Sequence, residues 1–166
     1  MPELLEKLSA EQGIVLYLCE ILKEISIVKG YQTDAGTKVT HWRTEPFTDD
    51  VEDVIIVRDK LSQDENDNKK MGYPEIEIDI HAGCRNKTDL WKYTTDALND
   101  IRRCIGKYKQ QFMWNHQVEE VDLVSWGVVD ITTSPIEAGE GVVTIRVRYI
   151  SDAFLQYTTG FKVENA

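Results

Sequence analysis

Residues 75–80 read Glu-Ile-Glu-Ile-Asp-Ile, a strict alternation of acidic and apolar side chains. Only an extended strand sends successive side chains to opposite faces, so Ile76, Ile78 and Ile80 share one face and Glu75, Glu77 and Asp79 the other. A strand of this kind needs a hydrophobic layer on one side and water or a polar partner on the other. Pro74 precedes it, at a position where a missing ladder donor is tolerated. Upstream, Val54-Ile55-Ile56-Val57 is a continuous β-branched run, which predicts a strand over 51–61 buried on both faces or near the sheet centre. The polar segment 62–72 between the two strands predicts a long hairpin with a charged tip.

Two helical patterns supply the layer. Ile14, Leu18, Ile21, Leu22 and Ile25 recur at three- and four-residue spacing, predicting a helix within 3–28. Ser9-Ala10-Glu11-Gln12 fits a capping box, and Gly30 is the natural stop. Leu90, Ala97, Ile101, Cys104 and Tyr108 mark one face of a second helix over 88–109, with Asp89 near its start and Arg102, Arg103 and Lys107 near its end. A short strand is expected over 38–43, with Trp42 and Phe47 anchoring the surrounding loop to the core. Two further strands are expected over 118–132, bulged near Ser125-Trp126-Gly127, and over 141–150. The predicted fold class is α+β: an antiparallel or mixed sheet with a long protruding hairpin and two main helices on one face. Residues 1–150 form the single α+β domain and 151–166 a C-terminal tail or arm carrying Phe154, Leu155, Tyr157 and Phe161.

A chain of 166 residues can bury a core without metal or disulfide staples. Its three cysteines, Cys19, Cys84 and Cys104, include no CxxC pair. Cys19 and Cys104 sit in helical patterns as small hydrophobes, which suits a reducing, intracellular folding environment. Met1-Pro2-Glu3 lacks the basic start of a signal peptide, and the longest apolar run is too short for a membrane span. The net charge is −10. From Glu45 to Asp67 nine acids face two bases, Arg58 and Lys60, a local balance of −7. Such a surface repels phosphate backbones and suits solubility or docking against a basic protein surface.

The sequence offers weak candidates for chemistry. Asp64, Asn66, Asn68 and Glu75 take positions one, three, five and twelve of a calcium-loop pattern, but Lys69 occupies position six, where the turn needs glycine. We read a solvated polar loop. His81 and Cys84 have an H-x-x-C spacing with no second ligand pair, so zinc is not expected. No nucleophile elbow, P-loop or dinucleotide fingerprint occurs. The expectation is a protein that is not an enzyme, with no catalytic residues, no metal and no cofactor. Arg146 and Arg148 share a face of the last strand and can pair with Glu75, Glu77 and Asp79 inside the sheet or on a neighbouring subunit. Trp126 is expected in the core, whereas Phe112, Met113 and Trp114 leave the helical pattern and are expected to be partly exposed.

The order of elements resembles the tail terminator, or tail-completion, proteins of tailed bacteriophages and related minor tail and neck proteins. The matching features are the leading helix, the stretch Gly30-Tyr31-Gln32-Thr33-Asp34-Ala35-Gly36, the hairpin Val51–His81, the helix opening Thr88-Asp89-Leu90-Trp91, and the strands Val121–Thr132 and Gly141–Ile150. The segment 151–166 lies beyond the resemblance. What the resemblance implies is a structural protein of the virion, assembled in the host cytoplasm, forming a homo-oligomeric ring, commonly a hexamer, that is also compatible with a monomer in solution. The ring would cap the tail tube at its head-proximal end and join it to head-completion or connector proteins. DNA would pass through the lumen without sequence-specific binding, and no membrane is involved. The candidate interface or lumen residues are Glu75, Glu77, Asp79, Arg146, Arg148, Asp64, Glu65 and Asp67. The alternative reading is an intracellular protein–protein adaptor.

Overall fold

The structure, a computed structural model, describes residues 9–42, 52–61, 75–115, 118–132 and 137–149. Its elements run α1 (Ala10–Leu22), β1 (Val39–His41), β2 (Asp53–Leu61), β3 (Glu75–Arg85), α2 (Leu90–Asn115), β4 (Val118–Thr132) and β5 (Ala138–Tyr149). The strands form one mixed sheet in the order β1-β2-β3-β5-β4. β1 runs parallel to β2, and the other neighbours are antiparallel. Both helices pack on the sheet face that carries Ile55, Val57, Ile76, Ile78, Ile80, Val143, Ile145 and Val147, and one hydrophobic cluster joins them.

The alternation in β3 does what its period requires. Ile76, Ile78 and Ile80 are buried under the helices, while Glu75 and Glu77 stay part-exposed on the opposite face. Val54 to Val57 are all buried, and β2 lies between β1 and β3, as the uninterrupted β-branched run implied. Over its described length the β2–β3 pair is the middle of the sheet, flanked by β1 and β5. The expected protruding tip, with Asp64, Glu65 and Asp67, lies outside the described residues.

Helix ends follow local chemistry. The Ser9 backbone amide donates to Gln12 Oε1 at 2.9 Å and the Gln12 amide donates to Ser9 Oγ at 3.2 Å, closing the capping box. α1 stops at Leu22, earlier than the expected range to 28. Beyond it the amides of Glu24 and Ile25 bond back three residues, to Ile21 and Leu22, and a separate 3₁₀ turn spans Ile27–Lys29. Gly30 ends that turn in the left-handed region at φ 89°, where a side chain would be strained. α2 runs six residues further than the pattern suggested, to Asn115 rather than 109. Phe112 therefore stays on the buried face, 3% exposed and 5.0 Å from the Tyr17 ring, which corrects the expectation of exposure. Trp126 corrects the opposite expectation. It is half-exposed beside α2, with the Arg102 guanidinium 3.9 Å above its ring. Trp42, expected as a core anchor, is also exposed, with its indole N–H donating to Asp59.

One buried carboxylate fastens the loop after α1 to α2. Asp100 is 1% exposed and accepts the amides of Gln32 and Thr33 and the Thr33 hydroxyl, the last two at 2.8 Å. Gly36 closes the same loop. A Cβ there would lie 2.5 Å from the Leu22 carbonyl oxygen and 2.7 Å from that of Ile25. Asp100→Ala leaves three donors without an acceptor in a dry site, and we expect a loss of about 2–4 kcal/mol by urea unfolding. A loss below about 1 kcal/mol would show that water replaces the carboxylate.

Candidate functional site: the charged outer face of the sheet

The face turned away from the helices is built from the alternate residues of four strands. Register sets its chemistry. Lys60 of β2, Glu77 of β3, Arg146 of β5 and Asp122 of β4 fall in one row across the sheet, and their charges alternate in sign. The next row places Arg148 between Glu75 and Glu120. Opposite charges directly across a strand pair attract, whereas a one-residue slip would bring these side chains to the core.

The side chains complete these pairs. Arg148 donates to Glu75 Oε1 through Nε at 3.0 Å and Nη2 at 2.7 Å, and through Nη1 to Glu120 at 3.3 Å. Arg146 lies 3.8 Å from Glu75 and 3.7 Å from Glu77. Asp79 sits at the centre, 8% exposed, accepting the Thr144 hydroxyl at 2.7 Å and facing Lys60 Nζ at 2.5 Å. The sequence left two destinations open for Arg146 and Arg148, and the structure pairs both within the chain. Glu75, Glu77, Asp79, Arg146 and Arg148 are thus brought together, whereas Asp64, Glu65 and Asp67 lie outside the described residues.

On this face Arg58, Lys60, Arg85, Arg146 and Arg148 stand against Glu75, Glu77, Asp79, Glu120, Asp122, Asp130 and Glu140. Five bases against seven acids leave the described face only weakly negative. Much of the chain's −10 lies elsewhere, including the acid-rich stretch 45–67. Pairs of this exposure contribute at most about 1 kcal/mol each, so the lattice fixes register and surface character more than stability. Asp79 differs because it is buried with two donors. We expect Asp79→Ala to cost about 2–3 kcal/mol and Glu77→Ala less than about 1 kcal/mol, by urea or thermal unfolding. Equal losses would mean that Asp79 is no more anchored than its neighbours.

His81 and Cys84 part company because three residues along a strand reverse the face. His81 lies on the outer face with Nδ1 3.1 Å from Glu140, and Cys84 lies under α2 with Sγ 3.2 Å from the Thr94 hydroxyl. Among the described residues no group of three or more His, Cys, Asp or Glu side chains is placed to hold a metal ion. Cys19, Cys84 and Cys104 are all buried, and burial raises each thiol pKa, that of Cys19 and Cys104 to about 11, so these thiols stay protonated near neutral pH.

A second polar group went unread in the sequence. Asp53, at the start of β2, accepts the Tyr93 hydroxyl at 3.1 Å and Lys87 Nζ at 3.3 Å on Oδ2, while Oδ1 is buried without a hydrogen-bond partner. Its partners lie 34 and 40 positions away, a distance that no local motif spans. Burial raises the Asp53 pKa above 3.8 despite Lys87 and Tyr93, which lower it. The folded chain therefore holds that proton more tightly than the unfolded one, and ionising Asp53 counts against folding as pH rises from about 4 upward. Asp53→Asn keeps an acceptor and removes the charge. Relative to the parent, the variant should gain stability progressively through that window, measured by urea unfolding at stepped pH. A constant difference would contradict the assigned shift.

No helix among the described residues is long and apolar enough to cross a membrane. No family model matches the chain, and no characterised protein matches it significantly in sequence.

Proposed function

We propose that the chain is a structural component of a tailed-bacteriophage virion, of the tail terminator or tail-completion kind, acting in assembly rather than catalysis. The order of elements carries the reading. A helix, an antiparallel strand pair, a second helix and a second antiparallel pair follow one another along the chain, with both helices on one sheet face. That is the order on which the resemblance rests. It leaves the opposite face as a broad surface of fixed, alternating charge, which suits orientation and register against a neighbouring copy or a tail protein.

In this reading copies join head to tail into a closed ring, commonly six, at the head-proximal end of the tail. The exposed arms of the lattice, above all Arg148 and Glu120 at about half exposure, are the groups free to exchange partners across a subunit boundary. The acid-rich stretch 45–67, rather than the compensated acids of β3, is then the part suited to face passing DNA. The ring would meet the tail tube on one side and the head-completion proteins on the other.

The test is genetic and visual. In the virus that encodes the chain, deleting its gene should leave filled heads and separate tails under the electron microscope, with the intact gene restoring joined particles. A normal yield of joined particles without the gene would overturn the proposal. Glu75→Ser with Glu77→Ser should keep the purified chain folded and reduce joining. Asp79 is left intact in that variant because its loss would disturb the fold itself.

A further inference from the structure

The 3₁₀ turn after α1 presents two apolar side chains that its own geometry does not require. Ile27 is 57% exposed and Val28 96%, the highest value of any large apolar residue described. A turn in water ordinarily carries glycine, asparagine, aspartate or serine. Ser26 and Gly30 supply that chemistry at the two ends, and the tip between them is β-branched. Single exposed apolar residues are ordinary, whereas two adjacent ones at a tip form a projecting knob.

The knob is held from several directions. The amides of Lys29 and Tyr31 donate to the Ser26 carbonyl at 3.1 Å, and that of Gly30 to the Ile27 carbonyl at 3.0 Å. The Ile27 amide donates to Asp34 Oδ1 at 2.9 Å, and Arg103 Nη1 of α2 to the Gly30 carbonyl at 2.8 Å. Asp100 fixes the next two amides, those of Gln32 and Thr33. The backbone is therefore set before a partner arrives, and β-branched side chains have little rotamer freedom left to lose on docking.

Charge selects the partner. Lys29 and Arg103 are exposed at the knob, and neither forms an ion pair among the described residues. The outer sheet face holds the converse. Its directly opposed charged pairs have opposite signs with one exception among the described residues, Asp130 of β4 against Glu140 of β5. Like charges so placed repel and call for a base from elsewhere. Asp130 accepts the Thr132 hydroxyl at 3.0 Å, and Glu140 has His81 at 3.1 Å. Beside them Gly127 pairs with Val142, and a Cβ on Gly127 would meet nothing within 4 Å. An acidic pair thus borders an open apolar spot. It faces away from the helix layer, to which the knob belongs.

We propose that the Ile27–Val28 knob docks on the outer face of a second copy, over Gly127 and Val142, with Lys29 and Arg103 set against Asp130 and Glu140. Knob and acceptor are different surfaces, so the contact is head-to-tail and continues into a ring or a filament. It would serve the proposed ring without depending on the virion reading.

Light scattering of the purified chain across concentrations up to about 1 mM tests the contact. The parent should associate reversibly. Val28→Asp, Lys29→Glu and Asp130→Lys should each raise the dissociation constant on the order of tenfold. All three positions are exposed, so unfolding midpoints should stay close to the parent's. Lys29→Glu combined with Asp130→Lys in one chain should restore association, which a loss of folding would not do. A chain that stays monomeric overturns the contact and leaves the virion reading to its own genetic test. Association unchanged by Val28→Asp or Asp130→Lys, or a charge swap that fails to restore it, overturns it as well.

Discussion

Everything in this structure depends on the two-residue period of β3. It separates Ile76, Ile78 and Ile80 from Glu75, Glu77 and Asp79 so completely that the sheet must have one dry face and one wet face. The dry face calls for two helices, and α1 and α2 meet it with the apolar stripes of Ile14, Leu18, Leu22, Leu98, Ile101 and Cys104. The wet face favours opposite charges across a strand pair, and β5 supplies Arg146 and Arg148 in register with Glu77 and Glu75, although Asp130 and Glu140 stand opposite each other nearer its start. Core and charged surface are thus two consequences of one alternation.

The polar groups that do enter the interior are few and specific. Asp100 gathers three donors from a loop nearly seventy positions away and fixes the connection after α1. Asp79 ties β2, β3 and β5 together through Lys60 and Thr144. Asp53 joins the start of β2 to Lys87 and to Tyr93 of α2. Each holds elements that the hydrophobic pattern leaves free to slide, because burial in a low-dielectric site makes the position of a carboxylate costly to change.

Much of the fold was legible because periodicity and capping are local. The Ser9–Gln12 capping box, the one-sided β3 and the bulge near Ser125 all follow from neighbours within a few residues, whereas Gly30 ends a separate turn rather than α1. The misreadings share one cause. The local pattern takes Phe112 out of the helix and puts Trp126 in the core, but an aromatic ring is buried or exposed according to what the next element brings to it. Tyr17 of α1 packs against Phe112, while Trp126 lies on β4 half-exposed with Arg102 across its ring. The Asp53 group was invisible for the same reason, and the pairing of Arg146 and Arg148 was undecided until register put their partners beside them.

The sequence by itself determined the element types, their order, the two-faced sheet and the burial of Cys19 and Cys104, since these depend on side-chain period and local hydrogen bonding. Only the tertiary structure decided the strand order, the parallel placement of β1 and the partner of each charge among the described residues. Those are properties of which segments lie side by side, and the free energy that selects them comes from contacts between residues far apart in the chain.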